Sequence, residues 1–412
     1  MTRALVTGVG AITPIGLTAH DFWNNLTMGV SGVTRITRFD TSDMPVKIAA
    51  EVKDFNAANY MDGKDARRMG RFAQFAVAAA RLAADDAGLV LADDERARAA
   101  SAVATGSGGT IETMDEMEVL LKRGPSRVSP FYIPIMAPNM GACQVSMNLG
   151  LRGPALASVA ACASGLYSFI EAKALIEAGL ADVVLAGGTE AALHRLPIAA
   201  LANMRALSRR NDEPERASRP FDADRDGFVF GEGAVMMVVE SEERARARNA
   251  SVYAELCGGA LTSDAYHITA PREDGTGAEA AMKGALASAR LDPADIDYVA
   301  AHGTGTPLND ATETLAIKLA FGDHAKNLAI SSPKSMVGHL LGAAGAIGGL
   351  AAVLAIHHDL VPPTINLENP DPACDLDYTP KVSRKMTVRA ATANGFGFGG
   401  QNGCVVFRKY QS

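Results

Sequence analysis

Ser158-Val159-Ala160-Ala161-Cys162-Ala163-Ser164-Gly165-Leu166 sets a single cysteine where an apolar run gives way to a helical pattern over residues 166–177. A Gly153-Pro154 break precedes it. A helix start leaves backbone N–H groups unpaired and carries partial positive charge, and both favour a thiolate over a thiol. Cysteines so placed have pKa values roughly 1–5 units below the free value of about 8.5. The stretch therefore predicts a strand-to-helix junction with a reactive Cys162 of lowered pKa, among neighbours small enough to admit a substrate. A buried structural cysteine is the other reading of the same residues, and segments far downstream decide between them.

On both sides of this stretch, apolar runs of strand length alternate with longer helical patterns, which predicts an α/β fold. Strands are expected at 4–9, 102–105, 155–160, 182–186 and 234–240, then at 252–261, 298–301, 328–331, 385–393 and 404–409. Helices are expected at 19–28, 67–87, 111–122, 138–148 and 166–178, then at 276–289, 310–320 and 340–357. The halves match in places: Ala104-Thr105-Gly106-Ser107-Gly108 resembles Ala301-His302-Gly303-Thr304-Gly305, and Gly231-Glu232-Gly233 resembles the Gly-rich run 399–403. Their common order predicts an internal duplication. The boundary falls at the charged run 244–251, giving a half 1–250 that carries the cysteine and a half 251–412 that carries two histidines.

The 412 residues, 48% hydrophobic and 21% charged, are ample for two core-forming units. A net charge of −7 gives no support to a nucleic-acid role. Five scattered cysteines without CxxC spacing argue against a disulfide framework and fit a reducing, cytoplasmic location. The opening residues read as a first strand rather than a signal peptide. Residues 340–356 are uncharged and approach the length of a membrane span, but their Gly/Ala-rich composition predicts a buried core helix.

Gly8-Val9-Gly10-Ala11-Ile12-Thr13-Pro14 lacks the third glycine of a dinucleotide loop, and His302-Gly303-Thr304-Gly305-Thr306-Pro307 lacks the Lys-Ser/Thr end of a P-loop. His302 nevertheless follows an expected strand, where α/β folds gather ligand sites. Asp310 and Glu313 then share the face of a helix start, where a structural role also suits the aspartate. In Pro333-Lys334-Ser335-Met336-Val337-Gly338-His339, the lysine needs a carboxylate partner because burying a lone ammonium is costly. His339 opens the uncharged helix, whose dipole favours a neutral imidazole. The run Gly395-Phe396-Gly397-Phe398-Gly399-Gly400 reads as a hinged flap, or as a plain turn before a last strand. Cys162, His302 and His339 could ligate zinc but lack the local spacing such sites show; a cysteine nucleophile with two histidines suits acyl transfer better.

These motifs, with Ser218-Arg219-Pro220-Phe221-Asp222 and Gly231-Glu232-Gly233, resemble the β-ketoacyl-[acyl-carrier-protein] synthases over essentially the whole chain, and synthase type II most of all. The resemblance implies a thiolase-type fold of two stacked α/β halves in five layers, and a homodimer. It implies acyl transfer to Cys162, decarboxylation of malonyl-carrier protein and condensation, with no cofactor or metal beyond the carrier's phosphopantetheine. It further implies that His302 and His339 donate to the malonyl thioester oxygen, and that Lys334, paired with Glu313, holds them in register. The N–H groups of Cys162 and Phe398 would form an oxyanion hole, with Phe398 gating the acyl pocket. Gly109, Phe131, Ile133, Phe396 and Gly399 would line that pocket, Phe131 and Ile133 in the partner subunit. Lys64, Arg67, Arg68, Arg205 and Arg209 would meet the acidic carrier protein. Gly109-Thr110 stands where the family often has a bulkier residue, which predicts a deeper pocket; Gln401 stands where a threonine is usual. A thiolase would need a second catalytic cysteine, which Cys404 suits poorly; a type III synthase would have Asn at His339, and a chain-length factor would lack Cys162. A ketosynthase of a polyketide pathway shares the same chemistry.

Overall fold

The computed structural model describes residues 2–411. Among them, ten strands form one mixed sheet: β1 (Ala4–Ile12), β2 (Ala99–Ala104), β3 (Ala155–Leu156), β4 (Val183–Glu190), β5 (Gly233–Ser241), β6 (Ala254–Ser263), β7 (Tyr298–Ala300), β8 (Ala329–Ser331), β9 (Ala390–Gly397) and β10 (Gln401–Arg408). Their order is β8-β7-β9-β10-β6-β1-β5-β4-β2-β3. Read outward from the centre, each side repeats one plan. β1–β5 and β5–β4 are antiparallel while β4–β2 and β2–β3 are parallel. β6–β10 and β10–β9 are likewise antiparallel, and β9–β7 and β7–β8 parallel. The sides join through a short antiparallel contact, Leu5 with Glu255 and Val6 with Ala254.

Side-chain alternation along the strands builds the layers. In β5, Val235, Met237 and Val239 enter the central core, whereas Ala234, Met236 and Val238 enter an outer one. In β10, Val405 and Phe407 face the centre while Cys404 and Val406 face a second outer core. The central core is filled by two helices, α3 (Ser164–Glu177) and α6 (Ala344–His358), packed against each other and against strands of both half-sheets. α1 (Arg71–Asp86) and α2 (Met140–Leu149) cover one outer face, and α4 (Thr276–Ala289) and α5 (Pro307–Phe321) the other. The result is the α/β/α/β/α sandwich of the thiolase fold.

α3 and α6 cross where small residues let backbones approach: a Cβ on Gly165 would lie 2.5 Å from the Ala346 nitrogen. The uncharged segment is thus a core helix. The window 341–358 is apolar enough to span a bilayer, but 83% of it is buried inside the protein.

Several expected boundaries shift. The strand at 155–160 shortens to β3 because it is an edge strand with only β2 to pair with, after which the chain turns into the Cys162 segment. The helix at 67–87 begins at Arg71, after Gly70 and a separate short helix Gly63–Ala66. The strand at 385–393 splits: Arg384–Lys385 pairs with Leu360–Val361, and β9 starts at Ala390 and continues to Gly397. The expected flap is therefore half strand, since residues 394–397 pair with 401–404 of β10 in a tight hairpin. Gly399 (φ +83°) and Gly400 (φ +74°) supply its turn.

Candidate active site

The cysteine lies on a 3₁₀ turn, Ala161–Ala163, directly before α3. Ala161 takes φ +46°, an uncommon value for a residue with a side chain. Ser164 braces the turn: its Oγ accepts from the Ala160 N–H (2.8 Å) and donates to the Ala161 carbonyl (2.7 Å). β9 runs beneath it. With period two, Gly395 and Gly397 face the turn, where a Cβ on Gly397 would lie 3.1 Å from the Cys162 nitrogen. Phe396, on the opposite side, sets its ring 5.6 Å from that of His302. The Gly-Phe-Gly-Phe pattern thus packs backbone against the cysteine and aromatic surface against a histidine.

His302 follows the end of β7. Glu313, fully buried on α5, accepts from the N–H groups of His302 and Gly303, both at 2.7 Å, and from Asn394 Nδ2 at 3.2 Å. Burial raises the Glu313 pKa against these hydrogen bonds. The expected Lys334–Glu313 ion pair does not form. Lys334 Nζ instead donates to the His302 carbonyl (2.6 Å), so lysine and glutamate grip the same peptide segment from opposite polarities. The reason is geometric: both side chains reach the end of β7, and the backbone lies between them. Burial lowers the Lys334 pKa to about 8, while Glu313 and Cys162 act in the opposite sense.

His339 is strapped to the segment before β5, its N–H donating to the Val229 carbonyl (2.7 Å) and its carbonyl accepting from the Gly231 N–H (2.9 Å). Ser218 Oγ donates to the Lys334 carbonyl (2.6 Å), so the 218–233 motif holds this whole segment. His339 Nδ1 accepts from the Leu341 N–H (3.2 Å). That contact fixes the tautomer: the proton of a neutral ring lies on Nε2, which is left to donate. Burial first, then the Lys334 charge, holds the pKa values of both histidines well below the ordinary value. Both are neutral at physiological pH.

Cys162 Sγ and the ring nitrogens of His302 and His339 lie within 4.8 Å of one another. The two imidazole rings meet edge to face at 5.5 Å, and Phe228 backs His339 at 5.0 Å. One expectation is overturned: burial pushes the Cys162 thiol up to about 11, although Lys334 and the N–H groups of Phe398 and Cys162 pull it down. A helix start does favour the thiolate, but desolvation is the larger effect here. The S/N/N trio could ligate a soft metal by spacing. The Lys334 ammonium beside it opposes a dication.

The trio forms the floor of a cavity of about 360 Å³, which Phe228, Leu341, Phe396, Phe398, Met204 and Leu308 make largely apolar. Phe398 stands 38% exposed at its edge. Other pocket residues fall elsewhere. Gly109 does not line this cavity, and a Cβ there would lie 2.5 Å from the Met136 Cα, so backbone occupies the space and no deeper pocket opens at that point. Gly399 lies outside it, its N–H donating to the Ile268 carbonyl. Phe131 and Ile133, expected in the partner subunit's pocket rather than in this one, are 43% and 65% exposed on the surface, Phe131 beneath the Arg68 guanidinium at 5.0 Å.

Lys64, Arg67, Arg68, Arg205 and Arg209 are all exposed, and among the described residues none makes an ion pair. Arg205 lines the cavity mouth, whereas Lys64, Arg67 and Arg68 lie apart on and after the Gly63–Ala66 helix. Cys404 is sealed inside β10, away from the cavity. Sequence reasoning missed Phe228, Asp264, Asn402 and the Leu341 N–H. Asp264, directly after β6, and Asn402 of β10 line the cavity, and Asn402 Nδ2 donates to Asp264 Oδ1 at 2.7 Å, a contact between residues 138 apart in the chain. A backbone donor such as Leu341 N–H leaves no trace in residue identity.

The paired small residues around this site give a direct test of packing. A Cβ on Gly342, in the turn before α6, would lie 2.1 Å from the Gly106 nitrogen. Gly342→Ala is expected to destabilise the protein by about 3 kcal/mol, at the upper end for overpacking. A thermal midpoint equal to that of the native protein would refute this.

Residues 1–245 match the family profile "Beta-ketoacyl synthase, N-terminal domain" and residues 253–368 match "Beta-ketoacyl synthase, C-terminal domain". The chain is 51% identical to "3-oxoacyl-[acyl-carrier-protein] synthase 2" of Synechocystis sp., over 99% of this chain and 98% of the relative. It is 47% identical to the protein of the same name from Coxiella burnetii, with the same coverage. Among solved structures it resembles a Beta-ketoacyl synthase from Burkholderia phymatum, with a TM-score of 0.92 and 35% identity over all of both chains. It also resembles a chain of a type II PKS acyl-carrier protein in complex with its ketosynthase, with a TM-score of 0.90 and 33% identity, again over all of both chains.

Proposed function

The chain belongs to the β-ketoacyl synthase family, and on that premise we propose how its residues divide the work of a condensing enzyme of fatty acid synthesis. Cys162 is the nucleophile. It attacks the thioester carbonyl of an acyl group carried on phosphopantetheine; the S–C bond to Cys162 forms, the bond to the carrier sulfur breaks, and the thiol proton passes to the leaving sulfur. The tetrahedral oxyanion accepts from the N–H groups of Cys162 and Phe398. A resting thiol pushed up to about 11 keeps Cys162 protonated until substrate arrives, while the Lys334 charge and the N–H groups of Phe398 and Cys162 favour the thiolate as it reacts.

Malonyl-carrier protein then loses CO₂. Negative charge builds on its thioester oxygen, and two neutral N–H donors aimed there stabilise it most in a dry site. His302 and His339 are those donors. The carbanion attacks the Cys162 thioester, giving a β-ketoacyl product two carbons longer. The family acts on carrier-bound substrates with no added cofactor. The observation that carries this reading is the convergence of Cys162, His302 and His339 on the floor of one apolar cavity.

The nucleophile belongs to a half 1–250 and both histidines to a half 251–412. The partner is an acidic acyl carrier protein, a reading supported by five unpaired cations (Lys64, Arg67, Arg68, Arg205 and Arg209) on a chain of net charge −7 and by the carrier complex of the similar ketosynthase. The exposed apolar face around Phe131 and Ile133 supports a homodimer, the odd, scattered cysteines support a cytoplasmic enzyme, and the 83% burial of the apolar window 341–358 inside the protein supports one free of membrane. Incubation with acyl-carrier protein should add one acyl mass per chain, and later addition of malonyl-carrier protein should release a β-ketoacyl product. A chain that takes no acyl group contradicts the reading.

Lys334 supplies positive potential only while protonated. With its pKa lowered to about 8, malonyl decarboxylation is expected to slow as pH rises through that value. Lys334→Arg, with a charge fixed across this range, should flatten that limb. An identical alkaline limb in the variant would assign it to another group.

A further inference from the structure

The duplicated fold contains the Cys162 turn twice. The 3₁₀ turn Leu341–Ala343 precedes α6 as Ala161–Ala163 precedes α3, and Leu341 (φ +41°) repeats the uncommon backbone of Ala161 (φ +46°). Gly342 is therefore the counterpart of Cys162. β4 and β9 are likewise counterparts in the sheet order, so Glu190, which ends β4, corresponds to Gly397, which ends β9.

In the first half, the Cys162 N–H is free to face a substrate. In the second, the Gly342 N–H donates to Glu190 Oε2 at 3.0 Å. The same carboxylate accepts from the Gly106 N–H (2.9 Å), from Ser107 Oγ and, at 3.4 Å, from Thr105 Oγ1. Glu190 has no exposed surface and its hydrogen-bonding partners are all neutral donors. A buried carboxylate held this way costs desolvation energy and needs several donors to offset it. It sits where the second half would otherwise repeat the oxyanion site, and it joins the 105–108 loop of one half to the helix start of the other.

The next residue back is Leu341, whose N–H fixes the His339 tautomer. We propose that Glu190 is a positioning residue for His339: its carboxylate anchors Gly342 against the 105–108 loop and so keeps the Leu341 N–H on Nδ1 and the proton on Nε2. Glu313 does the matching task for His302 by gripping two consecutive N–H groups. Each histidine is then set by one buried carboxylate acting through the backbone. Holding an imidazole in its productive tautomer is worth up to about 10⁴-fold in rate in other enzymes.

This inference rests on His339 as a donor to the malonyl thioester, and the test separates the two. In Glu190→Gln, the amide turns an N–H toward one of the backbone donors, so one clamp is lost. Nitrogen NMR of histidine-labelled full-length protein should show the Nε2–H tautomer of His339 in the native protein and a mixture in the variant. Decarboxylation of malonyl-carrier protein should fall about tenfold or more, while acylation of Cys162 from acyl-carrier protein does not fall, because the Glu190 charge raises the Cys162 pKa and its removal favours the thiolate. An unchanged tautomer, or equal falls in both half-reactions, overturns the proposal. A changed tautomer with undiminished decarboxylation upholds the positioning by Glu190 and removes His339 from its proposed donor role. If Glu190→Gln does not fold, Ser107→Ala, which removes one donor from the carboxylate, decides by the same measurements.

Discussion

Cys162→Ser is expected to fold, to take no acyl group from acyl-carrier protein, and to lose condensation by more than about 10³-fold. The serine oxygen fits the 161–163 turn, because the Ser164 hydrogen bonds that brace that turn do not involve the side chain of residue 162. What disappears is the nucleophile. A thiol at about 11 is already held neutral by burial, yet sulfur is polarisable and yields a usable thiolate as substrate arrives. An alcohol in the same place does not. The remaining cysteines cannot substitute: Cys257, Cys374 and Cys404 are buried, and with Cys143 they lie outside the cavity. Intact-mass analysis reads the result. An adduct of undiminished yield in the variant would remove Cys162 from its assigned role.

His339→Ala is expected to separate the half-reactions. Deleting one donor from a preorganised anion site costs about 10²–10³-fold. Malonyl decarboxylation should therefore fall by about that factor. The Cys162 acyl adduct should still form, because its oxyanion is held by backbone N–H groups. The pKa values of both histidines lie well below the ordinary value, so native decarboxylation should show no histidine-type loss between about pH 6 and 7. Parallel measurement of carbon dioxide release and acyl transfer checks both points. If acylation disappeared with decarboxylation, His339 would be needed for the nucleophile, and the division of roles would fail.

Much of this site was legible in the residues. Cys162, His302 and His339 are unusual types at strand-to-helix junctions, and the chain's alternating apolar runs show where those junctions fall. The Gly106-Ser107-Gly108 and Gly303-Thr304-Gly305 match pointed to the repeated plan now seen in the sheet order. Pairwise geometry was less legible. Lys334 needs a partner by charge, but charge cannot say that the partner is the His302 carbonyl with Glu313 on the other side of the same peptide. Gly109 suggested open space by its missing side chain, whereas the Met136 backbone occupies it. The role assigned to Glu190 had a faint signal, a lone carboxylate ending the apolar strand Val183–Glu190 after two glycines.

The sequence alone determined the alternation of strand and helix, the order of the motifs and the types of chemistry available, because periodicity and residue type are local properties. Tertiary structure decided the protonation state of Cys162, the tautomer of His339 and the partner of Lys334. Each depends on burial and on donors brought from residues distant in sequence. The helix dipole at Cys162 can be read from the chain, but the desolvation that outweighs it exists only once α3, α6 and β9 close around the sulfur.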